Sequence, residues 1–331
     1  MNIYDKNRSL EANPKNNWEN RFVFNAGSEL IDDHIYLVYR AQGTVDDKSR
    51  LGLAIVDTKT GKVERLPNPI FEPLEDFEIN GVEDPRLIRV GDKVIMSYVA
   101  LDKEKRAHPA DEQQTPNPIY RGAIASIDVK DFMSGNVNAW TRHGTLKFSS
   151  IDHPEGIDLP WHKNLIIFPK QFTDPTTGKK RWAAYYRPSE SDEAKKRIVV
   201  LYSDNEEGPF GPWSIGKAVM TPKYDWDGAK SNGWLGTAAE PIEIEGGWLV
   251  IYHGVRRAGD ANIYSLGAAL VNKDDPEDIL CRLPYPLVTP PENEIVTDER
   301  EILRLRASGK VNVPNVRFSC GAVSRDGELD I

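Results

Sequence analysis

The chain has 331 residues, 39% hydrophobic and 28% charged, enough for one large domain with a sizeable core. Its net charge of −9 at pH 7 argues against nucleic acid or an anionic membrane as the main partner, since both select basic surfaces. Its two cysteines, Cys281 and Cys320, give no disulfide framework, and with six scattered histidines they form no ligand-spaced metal cluster.

The first twenty residues are polar and lack the apolar centre of a signal peptide. No window has the length of a membrane span. A cytoplasmic protein without cofactor, nucleic-acid or membrane partner is expected, and a homo-oligomer is left open. The chain holds 8 Trp, 12 Tyr and 10 Phe, several beside polar residues, a pattern that suits a β-rich core and also the stacking of sugar faces on rings.

Helical periodicity is scarce, and short apolar runs bounded by Gly, Asp, Asn and Pro dominate. Taken in chain order, four of them share an ending. HIYLVYRA closes on Tyr39-Arg40, DKVIMSYVA on Tyr98-Val99, RWAAYYRPS on Tyr186-Arg187 and GWLVIYHGV on Tyr252-His253. DGELDI opens a fifth copy and stops at Ile331. A second kind of strand follows each of the four: SRLGLAIVD, YRGAIASID, KRIVVLYSD and YSLGAALVN. Recurrence at intervals of roughly 60–90 residues predicts sheet-like blades around a centre. The expectation is an all-β, five-bladed β-propeller in a single domain over residues 1–331, its fifth blade cut short. A large β-sandwich would show similar alternation but gives no reason for the recurring Tyr signature.

In a propeller the innermost strands of all blades converge on one channel. Arg40, Asp84, Arg187 and His253 lie in or near such strands. The run Gly81-Val82-Glu83-Asp84-Pro85-Arg86 reads most simply as an Asp-Pro turn. Convergence instead points Asp84 into a shared cavity with cationic neighbours.

These residues carry a resemblance. The stretches NPKNNWENRFVFNAG, YLVYRA, GVEDPRL, HKNLIIFP, YYRP, GGWLVIYHGV, YSLGAALVNKDDPEDI and NVPNVRFSCGAVSRDGELDI, in this order and spacing, resemble glycoside hydrolase family 130 from about Asn13 to the C-terminus. That family comprises mannoside phosphorylases and some β-mannosidases on a five-bladed propeller. The resemblance implies that Asp84 is the general acid, acting through a sugar hydroxyl that relays the proton to the glycosidic oxygen. It implies phosphate ligands at Lys163, Asn164, Arg187 and His253, and sugar contacts at Asn25 and Arg40, joined by Glu83 and Tyr264. Arg86 is expected to order the turn. The implied partners are a β-linked manno-oligosaccharide and inorganic phosphate as co-substrate.

Departures from the family pattern point elsewhere. Where phosphorylases read something like Lys-Ile-Gly-x-Gly-x-Pro-Pro-Ile, this chain has WLGTAAEPI, with Trp234 in a phosphate-binding lysine position and Glu240 in a proline position. The usual FPEK reads FPKQ over Phe168–Gln171. Phosphorolysis needs one acid and a phosphate cradle, whereas inverting hydrolysis needs a second carboxylate as base. Asp84 alone suits the first and is favoured. Asp84 with Glu240, expected near the channel mouth, suits a β-mannosidase. A non-catalytic propeller that binds a glycan or a protein is the remaining alternative.

Overall fold

The short apolar runs form strands that are buried on both faces. The computed structural model describes residues 10–109, 115–189, 191, 193–308 and 313–331. The first sheet joins β1 (Phe22–Ile31), β2 (His34–Gln42), β3 (Arg50–Asp57) and β4 (Val63–Arg65) in sequence order. The second joins β5 (Val82–Val90), β6 (Lys93–Ala107), β7 (Pro116–Asp128) and β8 (Thr141–Thr145) in the same way. The third contains β9 (Lys147–Ser149), β10 (Ile157–Asp158), β11 (His162–Thr173), β12 (Lys180–Pro188), β13 (Ile198–Ser203) and β14 (Trp213–Met220). The fourth contains β15 (Trp234–Thr237), β16 (Ile242–Ile244), β17 (Gly247–Ala258), β18 (Ala261–Val271) and β19 (Ile279–Arg282). A two-stranded hairpin follows, β20 (Val323–Arg325) with β21 (Glu328–Asp330).

The apolar clusters show how the sheets are arranged. Val38, Leu51 and Leu53 of the first sheet pack with Leu87, Met96 and Tyr98 of the second. Ile88, Ile95 and Ile124 of the second pack with Leu165, Ile167 and Leu201 of the third. Ile166, Tyr185 and Val200 of the third pack with Leu235, Val250 and Tyr252 of the fourth. Ile251 and Leu266 of the fourth pack with Ala322 and Leu329 at the hairpin. The hairpin in turn touches β1. Each sheet is therefore covered on both faces by its neighbours, and the order closes on itself: an all-β, propeller-like arrangement of four blades and a hairpin. In β11, Leu165 and Ile167 face one neighbour while Ile166 and Phe168 face the other. This is why the strand reads as a continuous apolar run and not as an alternation.

Two expectations change. The strands ending in the Tyr signature are not innermost; they stand second in their sheets, as β2, β6, β12 and β17. The strands that touch one another at the centre are β1, β5, β11 and β15. Contact there is close: a Cβ on Gly27 would lie 2.5 Å from the Pro85 carbonyl oxygen of β5, and one on Gly321 would lie 2.5 Å from the Ser28 nitrogen of β1. And where five blades are expected, the described residues form four blade-like sheets and one two-stranded hairpin.

The recurring Tyr has a structural task. Tyr98 on β6 donates its hydroxyl to Glu78, just ahead of β5, and Arg142 on β8 donates to both Glu78 oxygens at 3.1 and 3.0 Å. Tyr39 donates to Glu19 at 2.8 Å, and Arg65 on β4 pairs with the same carboxylate at 3.3 Å. In the fourth blade Arg282 on β19 donates to the Tyr252 hydroxyl at 3.1 Å and to Asp227 at 2.6 Å. Glu19, Glu78 and Asp227 are fully buried. Each clasp ties the outermost strand of a blade to the segment entering its innermost strand. Removing one partner of a buried, hydrogen-bonded pair leaves a charge uncompensated, at a cost of roughly 3–5 kcal/mol. Glu78→Ala is accordingly expected to lose stability on that scale in urea denaturation. A loss below ~1 kcal/mol would mean that the clasp adds little.

Candidate active site

Three of the central strands carry the same irregularity. Register shifts occur between Phe24 and Gly27, between Glu83 and Arg86, and between Lys163 and Ile166. Within each shift sits an Asn or Asp with left-handed backbone: Asn25 (φ 51°), Asp84 (φ 51°) and Asn164 (φ 62°). These two residue types tolerate that region best after glycine, and such bulges re-aim side chains. The residue before each bulge pairs with the end of a second strand: Phe24 with Arg40, Glu83 with Val99, and Lys163 with Arg187. In the fourth blade Gly236 pairs with His253. Residues far apart in sequence are thereby gathered at one end of the central strands.

One side of this cluster is a carboxylate group held by a guanidinium. Asn25 donates to Asp84 Oδ1 at 2.7 Å. Arg40 donates to the same oxygen at 3.3 Å, to Glu83 Oε1, and through Nε to Ser49 at 2.9 Å. Burial pushes both carboxyl groups up. For Glu83 burial wins, aided by the adjacent Asp84 charge, and its affinity for a proton rises. For Asp84 burial is outweighed by Arg40, Arg86, the Asn25 hydrogen bond and Lys163, which hold it below the ordinary carboxylate range.

The other side is cationic. Lys163 lies with its Nζ 4.6 Å from the Tyr120 ring centre, and burial followed by Arg187 lowers its proton affinity. Arg187 and His253 are 5% and 1% exposed. Arg187 Nε and His253 Nδ1 are buried with no hydrogen-bond partner among the described residues. Burial, then the charges of Arg187, Arg86 and Lys163, push His253 well below its usual value, so the ring is neutral at pH 7. Its ring packs 4.9 Å from Phe318 and 5.8 Å from Tyr264. Asn164 exchanges hydrogen bonds with Thr237: its Nδ2 donates to the Thr237 carbonyl at 3.5 Å, and the Thr237 hydroxyl donates to the Asn164 carbonyl. At Trp234 the expected loss of a cation is only local. Arg257 and Lys195 lie 5.5 and 5.7 Å from the centre of its ring, which meets Tyr264 edge-on at 6.3 Å.

Asn25, Arg40, Glu83, Asp84, Lys163, Arg187, His253 and Tyr264 thus come together. Glu240 does not stand at the channel mouth with them. Thr237 bonds Asn164, whereas Glu240, three residues on, accepts from the Ile167 N–H, also three residues on. It therefore sits one layer deeper along the central strands, and its Oε1 is enclosed. Arg86 does order the turn, donating to the Asp84 carbonyl at 2.9 Å, but it also reaches across to the carbonyls of Ala238 (2.7 Å) and Thr237 (3.3 Å). That reach, and the contacts of Tyr120 and Phe318, had no sequence signal, because each bridges segments dozens of residues apart, and the Ser49 contact joins two strands across a loop.

The family model of β-1,4-mannooligosaccharide phosphorylases matches residues 4–328. A 1,2-β-oligomannan phosphorylase of Thermoanaerobacter sp. (strain X514) is 26% identical over 328 residues, covering 97% of this chain and 88% of the relative. A β-1,2-mannobiose phosphorylase of Listeria innocua is 25% identical over 292 residues, covering 81% of this chain and 76% of the relative. The solved structure of a Listeria innocua β-1,2-mannobiose phosphorylase in complex with β-1,2-mannobiose superposes with a TM-score of 0.61 at 18% identity, covering 92% of this chain and 83% of that one.

Proposed function

Because the chain belongs to the enzymes of glycoside hydrolase family 130, we propose that it cleaves β-mannosidic bonds of manno-oligosaccharides with inversion, by phosphorolysis to mannose 1-phosphate. The observation that carries this reading is the juxtaposition of the Asp84 carboxylate with Lys163, Arg187 and His253, two of which bury polar nitrogens without a partner among the described residues. A bound phosphate offers acceptor oxygens to such groups, and a guanidinium fork fits it well. Asn25, Arg40 and Glu83 line the sugar side of the same cluster, and Tyr264, which packs beside His253 on the cationic side, is read as a sugar contact at the border between the two.

Asp84 is the general acid in this reading. Its low proton affinity in the ligand-free protein comes from surrounding cations. A phosphate dianion placed among those cations offsets their field and raises the affinity of Asp84 for a proton. Phosphate is then both nucleophile and the charge that readies the acid.

Hydrolysis would need a second carboxylate facing a water across the sugar. Glu240, the candidate for that task, accepts from the Ile167 N–H and has its other oxygen enclosed, which supports phosphorolysis. The hairpin β20–β21 is assigned, on the same reading, to the inner part of a fifth blade in one domain, and the enzyme to the cytoplasm, with no metal or organic cofactor. The test is to incubate the protein with β-1,2- and β-1,4-mannobiose, with and without phosphate. Mannose 1-phosphate formed only with phosphate is expected. Free mannose at the same rate without phosphate would replace this reading by hydrolysis.

A further inference from the structure

The central strands hold a second layer of ionisable groups beneath Asp84. Arg86 is 1% exposed, and among the described residues its three hydrogen bonds go to carbonyl oxygens, none to a carboxylate. A buried guanidinium without a directly bonded counter-charge is costly and projects its field over neighbouring groups. Above it is Asp84, whose carbonyl it binds. Below it is Glu240, whose Oε2 accepts from Ile167 N and whose Oε1 has no partner among the described residues.

Building on the proposed role of Asp84, we propose that Glu240 is a positioning residue for it, acting through Arg86: neutral, it leaves the Arg86 charge at full strength on Asp84; ionised, it cancels part of it.

The other groups facing Glu240 fit this arrangement. Glu29 on β1 is itself pushed up to about 7 by burial against the pull of Arg89. The Ile167 N–H on β11 donates to Glu240, while Ser97 on β6 gives its hydroxyl to the Leu165 carbonyl at 2.9 Å. Cys320, ahead of β20, is fully buried within reach of the fields of Arg86, Asp84, Arg40 and Glu240, and burial pushes its thiol up, so it adds no charge. Burial pushes Glu240 to about 8, against the opposing pulls of the Ile167 bond and Arg86. It is neutral at pH 7 and ionises as the pH passes about 8.

The sign follows. In the parent, rising pH ionises Glu240, weakens the Arg86 field and strengthens the hold of Asp84 on its proton, so the basic limb of turnover extends upward. Glu240→Gln fixes the neutral state and removes that extension. A half-unit difference in the acid's pKa is a factor of about three. At saturating mannobiose and phosphate, the ratio of Glu240→Gln turnover to parent turnover is expected to fall at least about threefold between pH 6.5 and 9. Glu240→Met, of similar volume and uncharged, should give the same fall.

A second readout is independent of activity. An acid whose proton affinity is higher folded than unfolded makes stability fall as pH rises between its unfolded value and its folded value. The urea midpoint of the parent should therefore drop more between pH 5 and 8 than that of either variant. A flat turnover ratio in an enzyme that Asp84→Asn inactivates would overturn this proposal and leave the function intact. Equal drops in urea midpoint would overturn it at Glu240 itself. Turnover retained in Asp84→Asn would overturn both this proposal and the acid role on which it rests.

Discussion

Asp84→Asn is expected to lower phosphate-dependent turnover by ~10²–10⁴-fold, the usual range for loss of a general acid, while leaving the fold in place. The substitution suits a clean test. Asn tolerates the left-handed backbone that Asp84 adopts (φ 51°) about as well as Asp does, so the bulge between Glu83 and Arg86 persists. Its side-chain oxygen still accepts from Asn25, and Arg40 keeps Glu83 as a partner. What disappears is the proton that a leaving alkoxide requires. Steady-state kinetics on mannobiose plus phosphate, with circular dichroism to verify folding, measures the effect. A variant that keeps more than about a tenth of parental turnover would remove Asp84 from the acid role and turn attention to Glu83, the neighbour that burial makes the better proton holder.

Arg187→Ala should act on the other co-substrate. The guanidinium is buried, its Nε lacks a partner among the described residues, and it stands beside Lys163 and His253. A hydrogen bond to a charged group contributes about 1.5–3 kcal/mol, so the apparent KM for phosphate is expected to rise by about 10- to 150-fold. The KM for mannoside should change much less. His253→Ala should shift the balance in the same direction by a smaller factor, because the neutral imidazole contributes a hydrogen bond and no charge. Equal effects on both KM values, or an effect confined to mannoside, would move Arg187 to the sugar side.

Much of the architecture was legible in the sequence, and the recurring Tyr shows why. A buried hydroxyl has to be bonded, so the first, second and fourth blades, where it bonds either the acid or the outer-strand arginine of a clasp, keep a Tyr in the same register. The period of the blades is written in that constraint. The sequence did not reveal that the Tyr strands stand second. Central and second strands are both short, both buried on two faces and both bounded by turns, so periodicity treats them alike.

The site divides in the same manner. Asn25 and Asn164 were implied by the family resemblance, and Asp84 by that resemblance and the convergence of strand ends; that all three sit in bulges with left-handed backbone, which suits Asn and Asp, emerged only from the fold. The signature ends Arg40, Arg187 and His253 followed from repetition along the chain. The sequence by itself thus determined the β class, the blade repeat and the signature residues Arg40, Arg187 and His253 at its strand ends, since each leaves a mark within a few positions of its own strand. Only the tertiary structure decided depth and charge. Glu240 lies a layer below Asp84 because Thr237 aligns with Asn164 and the strands then run on together. Asp84 is held ionised because Arg40 and Lys163 arrive from two other strands to join Arg86 of its own. Fields at a site sum over distances in space, and separation along the chain carries no information about those distances.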